Sequence, residues 1–209
     1  MFYDAVKNDH GLPCNPFKAC ISPRPLGWIS TVNKQGQVNL APYSFFNAVS
    51  DEPPQVMIGS NGIKAEENGR DKDTLTNIED TREFVCNMAV WDLRQEMVNT
   101  SAPLKHGEAE SGYVGVEMVP SEMIAPPRVK ASPIHLECKL WKVIDLPADS
   151  NSVRNAMIVG QVVGIHISDD VLVDGFIDLA KVKPLARLGY LDYSVVDETF
   201  QMRRPPGGD

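Results

Sequence analysis

The sequence predicts a mainly β protein, an antiparallel barrel with a few short helices. Strand-like runs outnumber helical ones along the 209 residues. Short turns join most of them, where alternating βαβ units would need helical crossovers. No G-x-G-x-x-G follows a strand and no G-x-x-x-x-G-K-[ST] occurs, so nothing supports a Rossmann or P-loop nucleotide site.

The elements follow in order. Residues 1–20 read as irregular, opening on a short amphipathic turn at Phe2, Tyr3 and Val6. Residues 27–32 alternate like a half-buried strand, 33–37 form a polar turn containing Gly36, and 38–47 are a second extended run; together they read as a β-hairpin. A turn at 51–54 leads to a third strand at 55–60, and the polar, Gly-containing stretch 61–71 reads as a loop. Leu75 and Ile78 share one face of a helix over 74–81, with Asp73 or Thr74 as N-cap and Thr76 and Glu79 at capping-box spacing. A strand at 83–90 and a helix at 93–99, with Leu93, Met97 and Val98 as its apolar side, come next. Residues 101–116 read as loop, and Pro120, Pro126, Pro127 and Pro133 exclude a regular helix over 120–133. Two long strands, 134–146 and 156–167, flank a polar link. In the first, His135, Glu137, Lys139 and Trp141 alternate with Leu136, Cys138, Leu140 and Lys142; Trp141 among the polar members leaves the core face open. One domain over 1–209 is expected, with 1–15 and 203–209 as flexible extensions.

Hydrophobic content of 43% and charged content of 23% are those of a globular protein. A net charge of −8 argues against a general nucleic-acid surface, so any phosphate site must be local. No apolar run approaches the ~20 residues of a membrane span, and the acidic N-terminus lacks a signal-peptide core; a cytoplasmic location is expected. Cys14, Cys20, Cys86 and Cys138 include no CxxC pair and are expected as free thiols. His10, His106, His135 and His166 have no zinc-hydrolase spacing, no metal site is expected, and G-x-S-x-G is absent. With no acid–base or metal constellation in view, a cofactor would have to carry any hard chemistry.

Two stretches could hold one. The hairpin brings Ser30, Thr31 and Ser44 near Trp28, Tyr43, Phe45 and Phe46, which suits a phosphate and a flat heterocycle, or is two core strands. At the start of helix 74–81, free N–H groups, Lys72 and the Thr74 hydroxyl would cradle a phosphate, or form an ordinary capped surface helix.

The runs PRPLGWIST, NLAPYSFFN, SDEPPQVMIGS, KDTLTNI and EFVCNMA, and the closing ARLGYLDYSVVDETFQMRRP, resemble in order and spacing the flavin reductase-like family of FMN-binding split barrels, from Pro16 to Pro205. The resemblance implies an antiparallel split β-barrel. It implies Arg24 and Lys72 at the FMN phosphate, and hydroxyls from Thr31, Ser44 and Thr74 on the phosphate or ribityl chain. Backbone N–H groups of Phe45, Phe46 and Asn47 would face the isoalloxazine edge, Trp28 would lie beside the ring, and Ser60 and Asn61 would end the third strand against the flavin. Other readings stay open: Arg24 in a salt bridge, Lys72 as helix-end solvation, Trp28 as core. His166 would face a nicotinamide site or be a satisfied strand histidine, and Arg187 and Tyr193 would line the active site of the same or a partner subunit. The implied activity is an NAD(P)H-dependent flavin reductase, a homodimer supplying reduced FMN to a partner oxygenase or to ferric iron. The alternatives are a non-catalytic FMN- or haem-binding module and a flavoenzyme with tightly held FMN acting on a specific small substrate.

Overall fold

The computed structural model describes residues 1–64, 70–101, 115–148, 154–203 and 205. A helical turn α1 (Phe17–Cys20) precedes β1 (Arg24–Pro25), β2 (Gly27–Val32), β3 (Val38–Tyr43), β4 (Phe46–Asp51) and β5 (Pro54–Asn61). The short pair β6 (Ile63–Lys64) and β7 (Arg70–Asp71) leads into α2 (Asp73–Thr81), then β8 (Glu83–Met88) and α3 (Arg94–Asn99). After β9 (Met118–Val119) and β10 (Arg128–Val129) come the long strands β11 (Ile134–Leu146) and β12 (Asn155–Ile167). The chain closes with β13 (Leu172–Val173), β14 (Phe176–Ile177), α4 (Leu179–Val182), β15 (Leu185–Arg187) and β16 (Tyr193–Val195).

Seven strands form one antiparallel sheet in the order β3-β2-β8-β11-β12-β5-β4. β3 and β4 stand at its opposite ends, yet only Ser44 and Phe45 separate them in the chain. The sheet must therefore curl until its two edges meet, and no ladder joins them among the described residues. The result is the expected antiparallel split β-barrel. The run 38–47, expected as one strand, breaks at Ser44–Phe45 into strands on either side of the split.

The barrel interior holds Ile29, Val56, Ile58, Phe84, Cys138 and Ile158, and α2 caps it with Leu75 and Ile78. Each such side chain contributes about 1.5–3 kcal/mol by leaving water. Gly160 is required here, because a Cβ on it would lie 2.3 Å from Cζ of Phe84. β2, expected half-buried, is buried along its whole length. Its outer face is covered too: Trp28 packs with Leu40, Met97, Val129 and Leu185 in a second cluster outside the barrel.

Other expectations are corrected. Lys72, in extended conformation, is the N-cap of α2, where Asp73 or Thr74 was expected, and no side chain caps the helix there. On β11, register shifts at Glu137/Cys138 and Leu140/Lys142 interrupt the alternation. Leu140 and Cys138 are buried and Trp141 is 58% exposed, which settles the core face. His135 and Glu137 are buried as well, His135 against Val129 of β10 and Glu137 against the segment joining β9 to β10. In the helix at 93–99 Met97 is buried, while Val98, assigned to the apolar side, is exposed. The loop expected at 101–116 falls mostly outside the described residues, as do 149–153 of the link and residues 204 and 206–209 of the tail. The four cysteines are free thiols, Cys14 and Cys20 exposed and Cys86 and Cys138 buried. No helix among the described residues is long and apolar enough to cross a membrane.

Arg154, at the foot of β12, contacts three carboxylates: Asp71 at 2.7 Å, Glu79 at 2.8 Å and Asp145 at 2.8 Å. This fan holds β7 and the C-terminal half of α2 to the β11–β12 hairpin, and the Glu79 of the supposed capping box is engaged in it. Replacing Arg154 with alanine leaves three carboxylates facing one another. The variant is expected to lose about 1–2 kcal/mol in urea unfolding at low salt, and less at high salt, as a partly exposed network should.

Candidate functional site

The site is built around the split. Ser44 and Phe45 lean on β5, where the Gly59 amide donates to the Phe45 carbonyl at 2.7 Å. A Cβ on Gly59 would lie 2.9 Å from Cβ of Phe45, so only glycine admits this approach. Phe46 pairs with Ile58 across β4–β5 while its ring reaches over the split to Gly27, where a Cβ would lie 2.8 Å from the ring. Asn47 is exposed on the edge strand, and its side chain accepts from the Ala48 amide at 2.9 Å. β5 ends in half-buried Asn61 and fully buried Ser60, whose hydroxyl has no hydrogen-bond partner among the described residues.

Lys72 comes to this region from the start of α2. Its ammonium lies 5.8 Å from the centre of the Tyr43 ring, on the last residue of β3. Burial, then the nearby Lys18, push its pKa below the usual lysine value. Thr74, in the first turn of α2, and Thr31, on β2 beneath it, are buried: the Thr74 hydroxyl accepts from Asn39 at 2.9 Å and the Thr31 hydroxyl from Asn77 at 3.0 Å. Each keeps its own hydroxyl proton to donate. Trp28 lies elsewhere. It is fully buried, its indole N–H donates to Thr100 at 2.9 Å, and it packs with the outer cluster.

Arg24 is a clamp. Its guanidinium donates to the carbonyls of Lys18 and Ile21, at the end of α1, and to that of Leu188 at 2.6 Å, so it ties the N-terminal segment to the β15–β16 turn. No salt bridge to a carboxylate is present among the described residues, and its buried Nε–H has no partner. Burial, then Arg187 opposite, lower its pKa. Arg24 and Arg187 open onto a cleft of about 630 Å³ that also takes in Phe17, Lys18, Ser44 and Tyr193. Among the described residues, Lys18, Arg24, Lys72 and Arg187 make no ion pair with a carboxylate, although the chain carries 28 acidic residues.

Of the residues singled out in the sequence, Ser44, Phe45, Phe46, Asn47, Ser60, Asn61 and Lys72 gather at the split; Thr74 lies in the first turn of α2 with Thr31 beneath it, Trp28 stands outside the barrel, and Arg24 and Arg187 meet in the cleft. His166 engages Glu137, with Nε2 2.6 Å from Oε1. Lys18, Phe17 and Tyr190 escaped the reading because α1 and the C-terminal hairpin meet only in three dimensions. The Glu137–His166 pair was hidden in an alternation that a bulge disrupts.

The split antiparallel barrel places the chain among flavin reductase-like proteins. The flavin reductase like domain model matches residues 20–185, most of the chain, and the protein belongs to that family. The chain is 36% identical over 186 residues to the protein BH2278 of Halalkalibacterium halodurans, covering 88% of this chain and 87% of that one. Nitrilotriacetate monooxygenase component B from Bacillus cereus superposes with a TM-score of 0.87 at 29% identity, over 97% of this chain and 98% of that one. The 2-nitrobenzoate 2-nitroreductase NbaA of Pseudomonas fluorescens gives 0.77 at 27% identity, over 92% and 90%.

Proposed function

We propose that the protein binds FMN at the split and works as an NAD(P)H-dependent flavin reductase. The observation that carries this reading is the cluster of Lys72, Thr74 and the backbone amides at the start of α2 beside the Ser44–Asn47 opening, with Lys72 in no carboxylate ion pair among the described residues of a chain with net charge −8. Such a cluster fits a phosphate, and the Ser60 hydroxyl, unpartnered among the described residues, supplies a further donor. Lys72 and the backbone N–H groups of the first turn of α2 would hold the phosphate, with Thr74 and Thr31 behind them. Ser44 and the backbone of Phe45, Phe46 and Asn47 would orient the ring system, and Phe45 and Phe46 would keep water from one side of it. Arg24 contributes charge and fixes the segment bearing Lys18; most of its N–H groups are already committed. Trp28 contributes as core. When bound, the flavin supplies the redox chemistry, taking reducing equivalents from NADH or NADPH and passing them to an acceptor.

The monooxygenase component B relative favours a partner oxygenase as the destination of reduced flavin. The cleft of about 630 Å³ beside Ser44 favours a second reading, a flavoenzyme that holds its FMN and reduces a small molecule, and the nitroreductase relative agrees with it. A homodimer is supported by the exposed edge of β4 and by exposed Ile165, Ile167 and Phe176.

The test is an anaerobic visible spectrum before and after NADH or NADPH, with and without added FMN. Loss of the flavin band near ~450 nm is the expected result. Turnover that scales with added FMN selects the reductase, and turnover that needs a nitroaromatic acceptor selects the second reading. A bound flavin inert to both nucleotides refutes both and leaves a binding module.

A further inference from the structure

We propose that the cleft between α1 and the β15–β16 hairpin is a separate binding site for an aromatic carboxylate, adjoining the flavin site at Ser44. Its role as the place where an acceptor meets the cofactor rests on the flavin reading; its existence does not.

The cleft has three cations in its wall, Lys18, Arg24 and Arg187, and no carboxylate among its described lining residues, in a chain where Asp and Glu outnumber Lys and Arg 28 to 20. Arg24 and Arg187 are direct register partners on β1 and β15, so two like charges are held side by side. An anion between them relieves that repulsion. Arg24 is only 6% exposed and keeps a buried Nε–H without an acceptor. Arg187 is stacked 4.2 Å above the Tyr193 ring, and its guanidinium also donates to the Tyr190 carbonyl. A guanidinium held over a ring presents its remaining N–H groups to a planar carboxylate, which accepts such donors in pairs.

The rest of the wall suits a ring. Phe17 is 53% exposed, Tyr190 50% and Tyr193 39%. The turn that places the two tyrosines is fixed on both sides. Tyr190 takes the left-handed conformation at φ 54°, and Gly189 packs so closely on Ala19 that a Cβ would lie 2.4 Å from the Ala19 Cβ. Left-handed backbone at a tyrosine is a strain that the surrounding contacts must hold, and ligand clamps are where it recurs. The volume of about 630 Å³ lies within the range of small-molecule sites.

Calorimetric titration of the FMN-loaded protein with benzoate, benzamide and inorganic phosphate tests this. Benzoate is expected to bind about tenfold or more tighter than benzamide, and tighter than phosphate. Arg187→Gln should weaken benzoate about tenfold and leave benzamide unchanged. Tyr193→Leu, a second variant should the first unfold, should weaken both ring compounds and spare phosphate. Equal binding of benzoate and benzamide, or benzoate binding indifferent to both variants, overturns the proposal. So does release of FMN by benzoate, because the cleft would then be the cofactor's own phosphate pocket. A protein that takes up no flavin but binds benzoate through Arg187 keeps the site and refutes the flavin reading alone.

Discussion

Replacing Glu137 with alanine is expected to lower the stability of the fold by about 3–5 kcal/mol, the range found when one partner of a buried ionic pair is removed. Glu137 is 0% exposed. Its carboxylate accepts from the amides of Glu122 and Met123 at 2.8 and 2.7 Å and lies 2.6 Å from His166 Nε2, with Arg128 at 4.0 Å. The variant strands two amides and an imidazole, and frees the segment between β9 and β10 from the face of β11. Glu137→Gln keeps one acceptor oxygen but turns an NH2 toward donors, so it should fall between. Urea unfolding of the three proteins at pH 7 decides it; a loss under 1 kcal/mol for the alanine variant would mean that the segment is held by other contacts.

The same cluster sets an acid limit. Burial acts most strongly on Glu137 and raises its pKa, but the bonds from Glu122, His166 and Met123 together outweigh it and hold the group below its usual value. Its stabilisation is complete above the unfolded-state pKa and is lost as pH falls through the folded-state value. His135, 4% exposed, is pushed down to about 4, chiefly by burial, with Arg128 and His166 adding to the shift and the Val129 carbonyl and Glu137 opposing it. Its stabilisation is likewise present above the unfolded value near ~6.5 and is lost between there and about 4, a change on the order of 3 kcal/mol. Stability should therefore decline below pH 6.5, and His135→Gln should flatten that decline.

What could be read from the chain follows periodicity. α2 was legible because its apolar side chains repeat every three to four residues, and β2 was legible as a strand but not in its burial, because the outer cluster covers its second face. The split was not, because apolar and aromatic residues run on through Ser44 and Phe45 while the backbone leaves one sheet edge for the other. Lys72 and Ser44 were legible as candidate site residues because each stands inside a local pattern. Lys18 and Arg187 were not legible as partners, since 168 intervening residues separate them and tertiary contacts, the docking of Gly189 on Ala19 and the Arg24 clamp, bring them to one cleft. Arg24 and Trp28 mark a different boundary. Their residue types suit a ligand, but their contacts, carbonyls for the one and Thr100 for the other, are tertiary.

Reversing the charge at Lys72 is expected to weaken FMN about 100-fold while leaving riboflavin, which lacks the phosphate, unchanged. Lys72→Glu removes an ammonium that would hold the phosphate and sets a carboxylate at the N-cap of α2 in its place. One charged hydrogen bond contributes about 1.5–3 kcal/mol, and the added repulsion brings the total near ~3 kcal/mol, or two powers of ten in affinity. The comparison with riboflavin separates this from general damage, because a misplaced α2 would weaken both ligands. The sign with pH follows from the depressed Lys72 pKa, which burial causes first and Lys18 second. A bound phosphate favours the cation, so wild-type affinity for FMN is full below the free-protein pKa and falls as pH rises through it, while riboflavin affinity stays level. Fluorescence titrations of both flavins from pH 7 to pH 10 give the answer. If FMN and riboflavin lose affinity in parallel, Lys72 shapes the helix and the phosphate lies elsewhere, against Lys18 and Arg187 in the cleft. If FMN alone responds, the start of α2 is the phosphate site, and the cleft is free for another anion.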